Sequence, residues 1–92
     1  MQRKLYGTGT NASVTYTTLR EGDKGAAVRN MQYTLYELGY YDGAIDGVYS
    51  ETVSDAVRAF QIQNGIKPVD GIAESTTLGK LYSTDAIAAI QP

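Results

Sequence analysis

Apolar residues recur at helical spacing in three stretches of the chain, separated by stretches rich in glycine and aspartate. Intervals of three or four residues place apolar positions on one helix face, so each stretch predicts a helix with one buried side. No stretch alternates long enough to predict a strand, although two-residue pairings near Ile45 and Ile72 stay open. The pattern predicts a compact all-α bundle of three helices with a core of Val28, Met31, Leu35, Leu38, Val57, Phe60, Leu78 and Leu81.

Polar residues mark where the predicted helices begin, and glycines mark where the first two end. A short polar side chain just before a helix accepts hydrogen bonds from amides of the first turn. A glycine after the last turn adopts the left-handed conformation that ends a helix. The predicted starts are Asp23, Ser50 and either Glu74 or Ser75, and the predicted ends are Gly39 and Asn64-Gly65.

Residues 45–57 and 69–81 repeat one pattern at an offset of 24 positions, and Asp-Gly stands near the start of each copy. Paired carboxylates can act as acid and base, but that needs a cleft and a raised pKa on one partner. Aspartate before glycine is more typical of a turn, in which the carboxylate binds backbone amides and glycine takes a positive φ. We favour the turn for Asp46 and Asp70. An intermediate interpretation is that they organise loops whose amides face a ligand.

Gln32 and Gln61 follow apolar positions of the first two helices. An amide side chain can donate to and accept from a sugar or a peptide. It can equally bind the backbone of a nearby loop, because a buried amide must find partners within the protein. We favour the second role for both.

The composition excludes several kinds of chemistry. The 92 residues include no cysteine and no histidine. Disulfides, thiolate nucleophiles, imidazole bases and the usual zinc ligands are therefore excluded. A net charge of −2 without a basic run gives no reason to expect a nucleic-acid partner. No segment reaches membrane-spanning length. We expect one small domain with no catalytic residue, no metal and no cofactor.

Aromatic usage is skewed to eight tyrosines, with one phenylalanine and no tryptophan. A tyrosine ring offers an apolar face and a polar tip, which suits half-buried positions and sugar contacts alike. Tyr40 is expected to fold into the core. Tyr41 and Tyr49 flank the first Asp-Gly pair and are expected to be exposed.

The ordered set of motifs from "LREGDKGAAV" through "LGYYDGAIDGVYS" and "AFQIQNGI" to "VDGIAESTTL" resembles a peptidoglycan-binding domain of the PG_binding_1 type. The resemblance covers residues 19–82. The positions that match the family outline are Leu19, Gly22, Asp23, Gly25, Val28, Gln32, Leu35, Leu38, Gly39, Tyr40, Ile45, Asp46, Gly47, Ala56, Val57, Phe60, Gln61, Asn64, Gly65, Asp70, Gly71, Thr77 and Leu78.

The chain departs from this outline at a few positions. Tyr49 stands for the usual phenylalanine, and Ser50 and Glu74 replace the glycine that usually follows each Asp-Gly turn. Val53 stands where the family usually has threonine, although Thr52 precedes it. Serine and glutamate suit a helix start, so the departures bear on ligand contact more than on fold.

The resemblance implies a three-helix fold, no catalysis and a supporting role for a cell-wall enzyme. The implied partners are peptidoglycan, through its glycan or its stem peptides, and neighbouring repeats or a cell-wall hydrolase in the full-length protein. The implied location is extracellular or in the cell wall. The surface expected to meet the ligand lies around residues 40–50 and the start of the third helix, with Tyr41, Asp46, Gly47, Tyr49, Ser50, Asp70, Gly71 and Glu74.

A structural spacer or protein-interaction repeat without sugar affinity is the alternative. Exposure of Tyr41 and Tyr49 beside a groove would favour binding, whereas burial of both would favour the spacer.

The predicted domain covers residues 19–82, with a linker or loose helical turn over 83–92. Residues 1–18 are predicted to be the tail of a preceding repeat plus a flexible linker, since "KLYGT" at 4–8 resembles "KLYST" at 80–84. The basic start lacks the apolar run of a signal peptide.

Overall fold

A computed structural model describes residues 16–89, which contain three helices. They are α1 (Ala26–Glu37), α2 (Glu51–Gln63) and α3 (Ser75–Leu81). Between residues 16 and 89 there is no strand, and two isolated antiparallel bridges join Leu19 to Ala73 and Lys24 to Val48. The predicted three-helix all-α fold is confirmed. Most of the predicted N-terminal tail and linker, residues 1–15, lies outside the described residues.

The core combines the three helix faces with residues from the connecting loops. Seven of the eight predicted core residues are buried, and the eighth, Leu38, is partly buried against them. Val53 and Ala56, on the apolar stripe predicted for the second helix, are buried with them. The pattern did not predict the core members that lie in loops, which are Leu19, Tyr41, Tyr49, Ile66 and Ala73.

Most helix ends follow the predicted signals. The Ser50 hydroxyl accepts a hydrogen bond from the Val53 amide at the start of α2. Gly39 and Gly65 take positive φ angles of 89° and 69° just beyond α1 and α2. Glu74 precedes α3, and its side chain makes no capping hydrogen bond.

The prediction that Asp23 caps the first helix is wrong. Its carboxylate instead accepts a hydrogen bond from the Arg20 amide and closes a turn before the helix. Gly25 occupies the capping position at a φ of 131°, and its amide donates to the Gly47 carbonyl. Because this bond pairs the Gly25 backbone with Gly47 in a non-helical conformation, α1 begins at Ala26.

The segment before α1 connects two distant parts of the chain. The Tyr49 amide donates to the Asp23 carbonyl, and the Gly22 amide donates to the Tyr49 carbonyl. Leu19 and Ala73 exchange two backbone hydrogen bonds of 2.9 and 2.8 Å. Residues 19–25 therefore lie between the two Asp-Gly loops and contact both.

Residues after α3 return to the ends of α1 and α2 without forming a further helix. The Tyr40 hydroxyl donates to the Ile87 carbonyl over 2.6 Å, and the Ala89 amide donates to the Leu38 carbonyl over 2.8 Å. Asn64 accepts a hydrogen bond from the Ile87 amide. These bonds hold the chain through residue 89 against the bundle.

Candidate functional site

The first Asp-Gly loop, residues 44–48, is fastened to α1 by Gln32. The Gln32 carbonyl oxygen accepts a 2.8 Å hydrogen bond from the Gly47 amide. Its amide nitrogen lies 3.1 Å from the Asp46 carboxylate and 3.1 Å from the Val48 carbonyl oxygen. Asp46 also accepts a hydrogen bond from the Val48 amide two residues on, which closes an Asx-type turn. We call residues 44–48 the first hinge.

The second Asp-Gly loop, residues 69–72, repeats this arrangement on α2. The Gln61 carbonyl oxygen accepts hydrogen bonds from the amides of Asp70 and Gly71, at 3.1 and 3.0 Å. Its amide nitrogen donates to the Ile72 carbonyl and to the Thr77 hydroxyl. The Asp70 carboxylate accepts from the Ile72 amide at 3.0 Å. We call residues 69–72 the second hinge.

These bonds confirm the turn interpretation of both aspartates and the packing role of both glutamines. Gln32 and Gln61 are buried, and their polar atoms bind the hinges. The amides of Gly47 and Gly71 are engaged within the protein. The intermediate interpretation, in which hinge amides face a ligand, is therefore wrong for these two glycine amides.

Both hinge glycines are required by their backbone conformation and by space. Gly47 and Gly71 have φ angles of 77° and 74°, a region that side chains disfavour. A Cβ atom on Gly71 would collide with the Ser54 hydroxyl oxygen, and one on Gly47 would lie 3.0 Å from the Gly25 carbonyl oxygen. Glycine is therefore required at positions 47 and 71 for the hinges to pack this closely against the rest of the bundle.

The predicted exposure of Tyr41 and Tyr49 is wrong, because their side chains are 6% and 1% exposed. The Tyr41 hydroxyl donates to the Ala44 carbonyl, so the ring folds over its own loop. The Tyr49 hydroxyl donates to the Gly71 carbonyl and thereby joins the first hinge region to the second. Both rings belong to the core and offer no face to a sugar. Tyr40, as predicted, packs on the core, where its ring meets Phe60 edge-on at 5.5 Å.

The remaining predicted site residues differ in exposure. Gly47 and Gly71 are buried, Ser50 and Asp70 are half-buried, and Asp46 and Glu74 are exposed. Hydrogen bonds from the Gln32 amide and the Val48 amide lower the pKa of Asp46. A lowered pKa is the opposite of what a general acid at neutral pH needs. Among residues 16–89, no cluster of three potential metal ligands occurs, and no helix is long and apolar enough to cross a membrane.

Because the Tyr49 hydroxyl is buried, the stability of the fold should decrease at alkaline pH. Burial raises its pKa, and the nearby Asp70 carboxylate raises it further. An unfolded tyrosine ionises near pH 10, whereas folded Tyr49 stays protonated there, so the free energy of unfolding should fall as pH rises above about 10. Tyr49→Phe should reduce this slope and cost about 1 kcal/mol at pH 8 through the lost hydrogen bond.

Urea unfolding at several pH values between 8 and 11 measures this effect. Burial also raises the pKa of Tyr40, Tyr41 and Tyr82, so Tyr49→Phe should reduce the slope without abolishing it. Tyr36→Phe, at an exposed ring on α1, is the comparison and should change the slope less than Tyr49→Phe does. Equal slopes for wild type and Tyr49→Phe would contradict the prediction.

Comparison with known proteins places these hinges in a family. Residues 24–81 match the family described as "Putative peptidoglycan binding domain". The chain belongs to this family. The match includes both hinges and both glutamines that hold them.

Two bacterial spore cortex-lytic enzymes are similar to this chain over part of their length. The chain is 40% identical over 70 residues to the spore cortex-lytic enzyme of Bacillus subtilis, covering 76% of this chain and 23% of the enzyme. The corresponding enzyme of Oceanobacillus iheyensis is 37% identical over 81 residues, covering 84% of this chain and 29% of the enzyme. The chain thus spans about a quarter of the length of these curated relatives.

Solved structures agree with the fold. The crystal structure of the SleB N-terminal domain is 35% identical with a TM-score of 0.68, covering 71% of this chain and 88% of that one. A fused Zn-dependent amidase/peptidase/peptidoglycan-binding domain-containing protein of Clostridium acetobutylicum has a TM-score of 0.70 at 31% identity, covering 83% and 36%.

Proposed function

We propose that this chain is a non-catalytic module that binds peptidoglycan and carries an attached cell-wall hydrolase to its substrate. The observation that carries the proposal is the family match over residues 24–81, in a chain that is also similar to part of two spore cortex-lytic enzymes. The folded part supports a binding role. The Asp46 and Asp70 carboxylates close turns, Asp55 and Asp85 pair with Arg58 and Lys80, and the whole chain has neither histidine nor cysteine.

The proposal includes the surroundings of the module. A hydrolase that acts on the cell wall works outside the cytoplasm, so we place the module in the wall or outside the cell. The similarity of residues 4–8 to 80–84 supports a further repeat before this one. If each copy binds weakly, two copies on a short linker raise the apparent affinity through effective concentration.

A spacer or protein-interaction repeat is the second candidate, and one observation favours it. Tyr41 and Tyr49, whose exposure would favour sugar binding at the first hinge, are both buried. If the exposed rest of that surface does not bind either, the hinges serve folding alone.

Sedimentation with purified peptidoglycan separates these candidates. The full chain should appear in the pellet with insoluble peptidoglycan and stay in solution with cellulose, a polysaccharide without acetamido groups or peptides. Chitin, which shares the acetamido sugar but lacks peptides, shows whether the glycan alone is sufficient. A chain that stays in solution with peptidoglycan, even as a tandem dimer, would establish the spacer instead.

The exposed part of the predicted surface is proposed to face the stem peptides through Asp46, Ser50 and Glu74. Glu74 places a negative charge beside the first turn of α3. Stem peptides carry carboxylates, so this charge should weaken their approach. Glu74→Gln should raise the affinity for peptidoglycan about twofold to fivefold, the usual range for one exposed charge near a helix terminus.

Asp55→Asn provides the matched control for Glu74. Asp55 is an exposed carboxylate on α2 that pairs with Arg58, so the variant changes net charge by the same amount at a different place. At low salt, the binding isotherm should shift toward higher affinity for Glu74→Gln and stay unchanged for the control variant. Equal shifts for both variants would indicate a general charge effect and would remove Glu74 from the proposed surface.

A further inference from the structure

An open groove of about 530 Å³ lies between the segment that precedes α1, one side of α1 and one side of α3. The volume is within the range of roughly 300–1,000 Å³ that is typical of small-ligand sites. None of the hinge residues lines it. Its aromatic and polar walls are formed by Tyr16, Thr17, Asn30, Tyr33, Thr34 and Tyr82.

The groove has a fixed wall. The Ser75 hydroxyl donates a 3.0 Å hydrogen bond to the Tyr16 carbonyl, and the paired backbone bonds between Leu19 and Ala73 hold the same segment. The Tyr16 and Tyr82 rings lie 5.6 Å apart at a tilt of 43°. The segment before α1 is therefore held at the start of α3 by hydrogen bonds and at the end of α3 by packing of the Tyr16 and Tyr82 rings.

The chemistry of the lining is amphipathic and neutral. Leu19, Ala27 and Leu78 add apolar side chains, whereas the threonine hydroxyls and the Asn30 amide add hydrogen-bonding groups. No carboxylate, ammonium or guanidinium group lines the groove. Tyr33, at 51% exposed, leaves much of its ring accessible to solvent.

This lining matches one class of ligand better than others. A β-linked N-acetylated amino sugar is neutral, with an apolar C–H face that can pack on a tyrosine ring and a rim of hydroxyl and amide groups that can pair with threonine and asparagine. Stem peptides are charged and would find no counter-charge here. The groove begins beside Ser75, next to the surface proposed for the stem peptides.

We propose that this groove binds the glycan strand of peptidoglycan, with the Tyr33 ring as a stacking platform for one N-acetylated sugar. The proposal rests on the peptidoglycan-binding function and gives that function a glycan subsite separate from the hinges. It also provides the exposed aromatic surface that Tyr41 and Tyr49 do not.

A titration of the ¹⁵N-labelled full chain with chitotetraose, a soluble β-1,4-linked oligomer of N-acetylglucosamine, tests the subsite directly. Amide resonances of residues 16–19, 27–34 and 78–82 should shift, while those of the hinges should not. Tyr33→Ala should weaken chitotetraose binding about fivefold to tenfold, as expected for the loss of one aromatic contact.

Tyr36→Ala is the matched control. Tyr36 lies on the same helix at 54% exposed, almost the same as Tyr33, but does not line the groove. Because the Tyr36 ring lies 6.4 Å from the Tyr33 ring, this variant should weaken chitotetraose binding, but less than Tyr33→Ala does. Both rings are on the surface, so both variants should keep the dispersed spectrum of a folded chain.

Three results would overturn the groove proposal. They are the absence of resonance shifts with chitotetraose, shifts centred on the hinges, and equal weakening of chitotetraose binding by Tyr33→Ala and Tyr36→Ala. Concentration-dependent shifts without sugar would place a second copy of the chain in the groove. Sugar-free shifts of residues 1–15 caused by Tyr33→Ala would place the chain's own N-terminal segment there.

The two proposals fail in different experiments. A chain that sediments with peptidoglycan but does not respond to chitotetraose keeps the proposed function and loses the groove. A chain whose groove responds to chitotetraose but which stays in solution with peptidoglycan keeps the groove and loses wall targeting.

Discussion

Phe60→Ala should lower the free energy of unfolding by about 3–5 kcal/mol, the usual cost of removing a fully buried aromatic ring from a core. The Phe60 side chain is fully buried on α2, and Tyr40 packs edge-on against it. Small domains commonly have only about 5–15 kcal/mol of stability, so this loss approaches the whole. Urea unfolding followed by circular dichroism at 222 nm measures the change.

Ile62→Ala is the control for Phe60→Ala. Ile62 lies two residues further along α2, but 67% of its side chain is exposed. Its truncation should change stability by no more than about 0.5 kcal/mol, as is usual for surface positions. A spectrum dominated by β-structure, or similar losses for the two variants, would contradict the three-helix core described above.

Gln61→Ala should cost about 3 kcal/mol, mainly through lost hydrogen bonds rather than lost apolar contact. The substitution leaves the amides of Asp70 and Gly71 and the carbonyl of Ile72 without the partner that Gln61 provides. The Gly71 amide is buried and the other two groups are part-buried, and a buried backbone group that loses its partner costs roughly 1–3 kcal/mol. The same urea experiment measures the loss, and amide spectra of the variant should show changes centred on the second hinge.

Gln63→Ala provides the comparison. Gln63 is half-buried near the end of the same helix, so its variant loses the same side chain from the same element. It should cost less than about 1 kcal/mol. If the two glutamine variants were equally stable, the hydrogen bonds to the hinge would contribute little to the fold.

The helices and their core could be predicted because their signals are local. Ser50 is a short polar side chain just before an apolar run, and its hydroxyl does cap α2. Asp23 gives the same local signal and does not cap α1. The difference is tertiary, because Gly25 is held by the Gly47 carbonyl from 22 residues away, which no local pattern near Asp23 contains.

The hinges could be predicted as turns, and the tyrosines beside them could not be placed from their amino-acid type. A tyrosine suits a core and a sugar-binding surface equally well, since one end is apolar and the other polar. The family outline did contain a signal for Tyr49, which stands where phenylalanine is usual. A position that normally takes a purely apolar ring is a core position, and the structure buries Tyr49 there.

The groove could not be predicted from the sequence because its walls are far apart in the chain. Tyr16 and Tyr82 are separated by 66 positions, and their rings lie 5.6 Å apart. Tyr33 carries no local pattern that distinguishes it from Tyr36, three residues later on the same helix. Only the packing of α1, α3 and the segment before α1 separates a ring that lines the groove from one that does not.

The hydrogen bond from Tyr49 to Gly71 has a consequence for how the two similar halves of the domain depend on each other. A sequence that repeats itself at 24 residues could have arisen by duplication of a smaller unit that folded as identical copies. Here the first copy supplies the hydroxyl and the second copy the carbonyl, while residues 19–25 bind Gly47 of the first hinge and Ala73 next to the second hinge. Neither half can be removed without exposing a buried polar group of the other, so the domain should unfold as one cooperative unit. Neither half of the present domain should therefore fold alone.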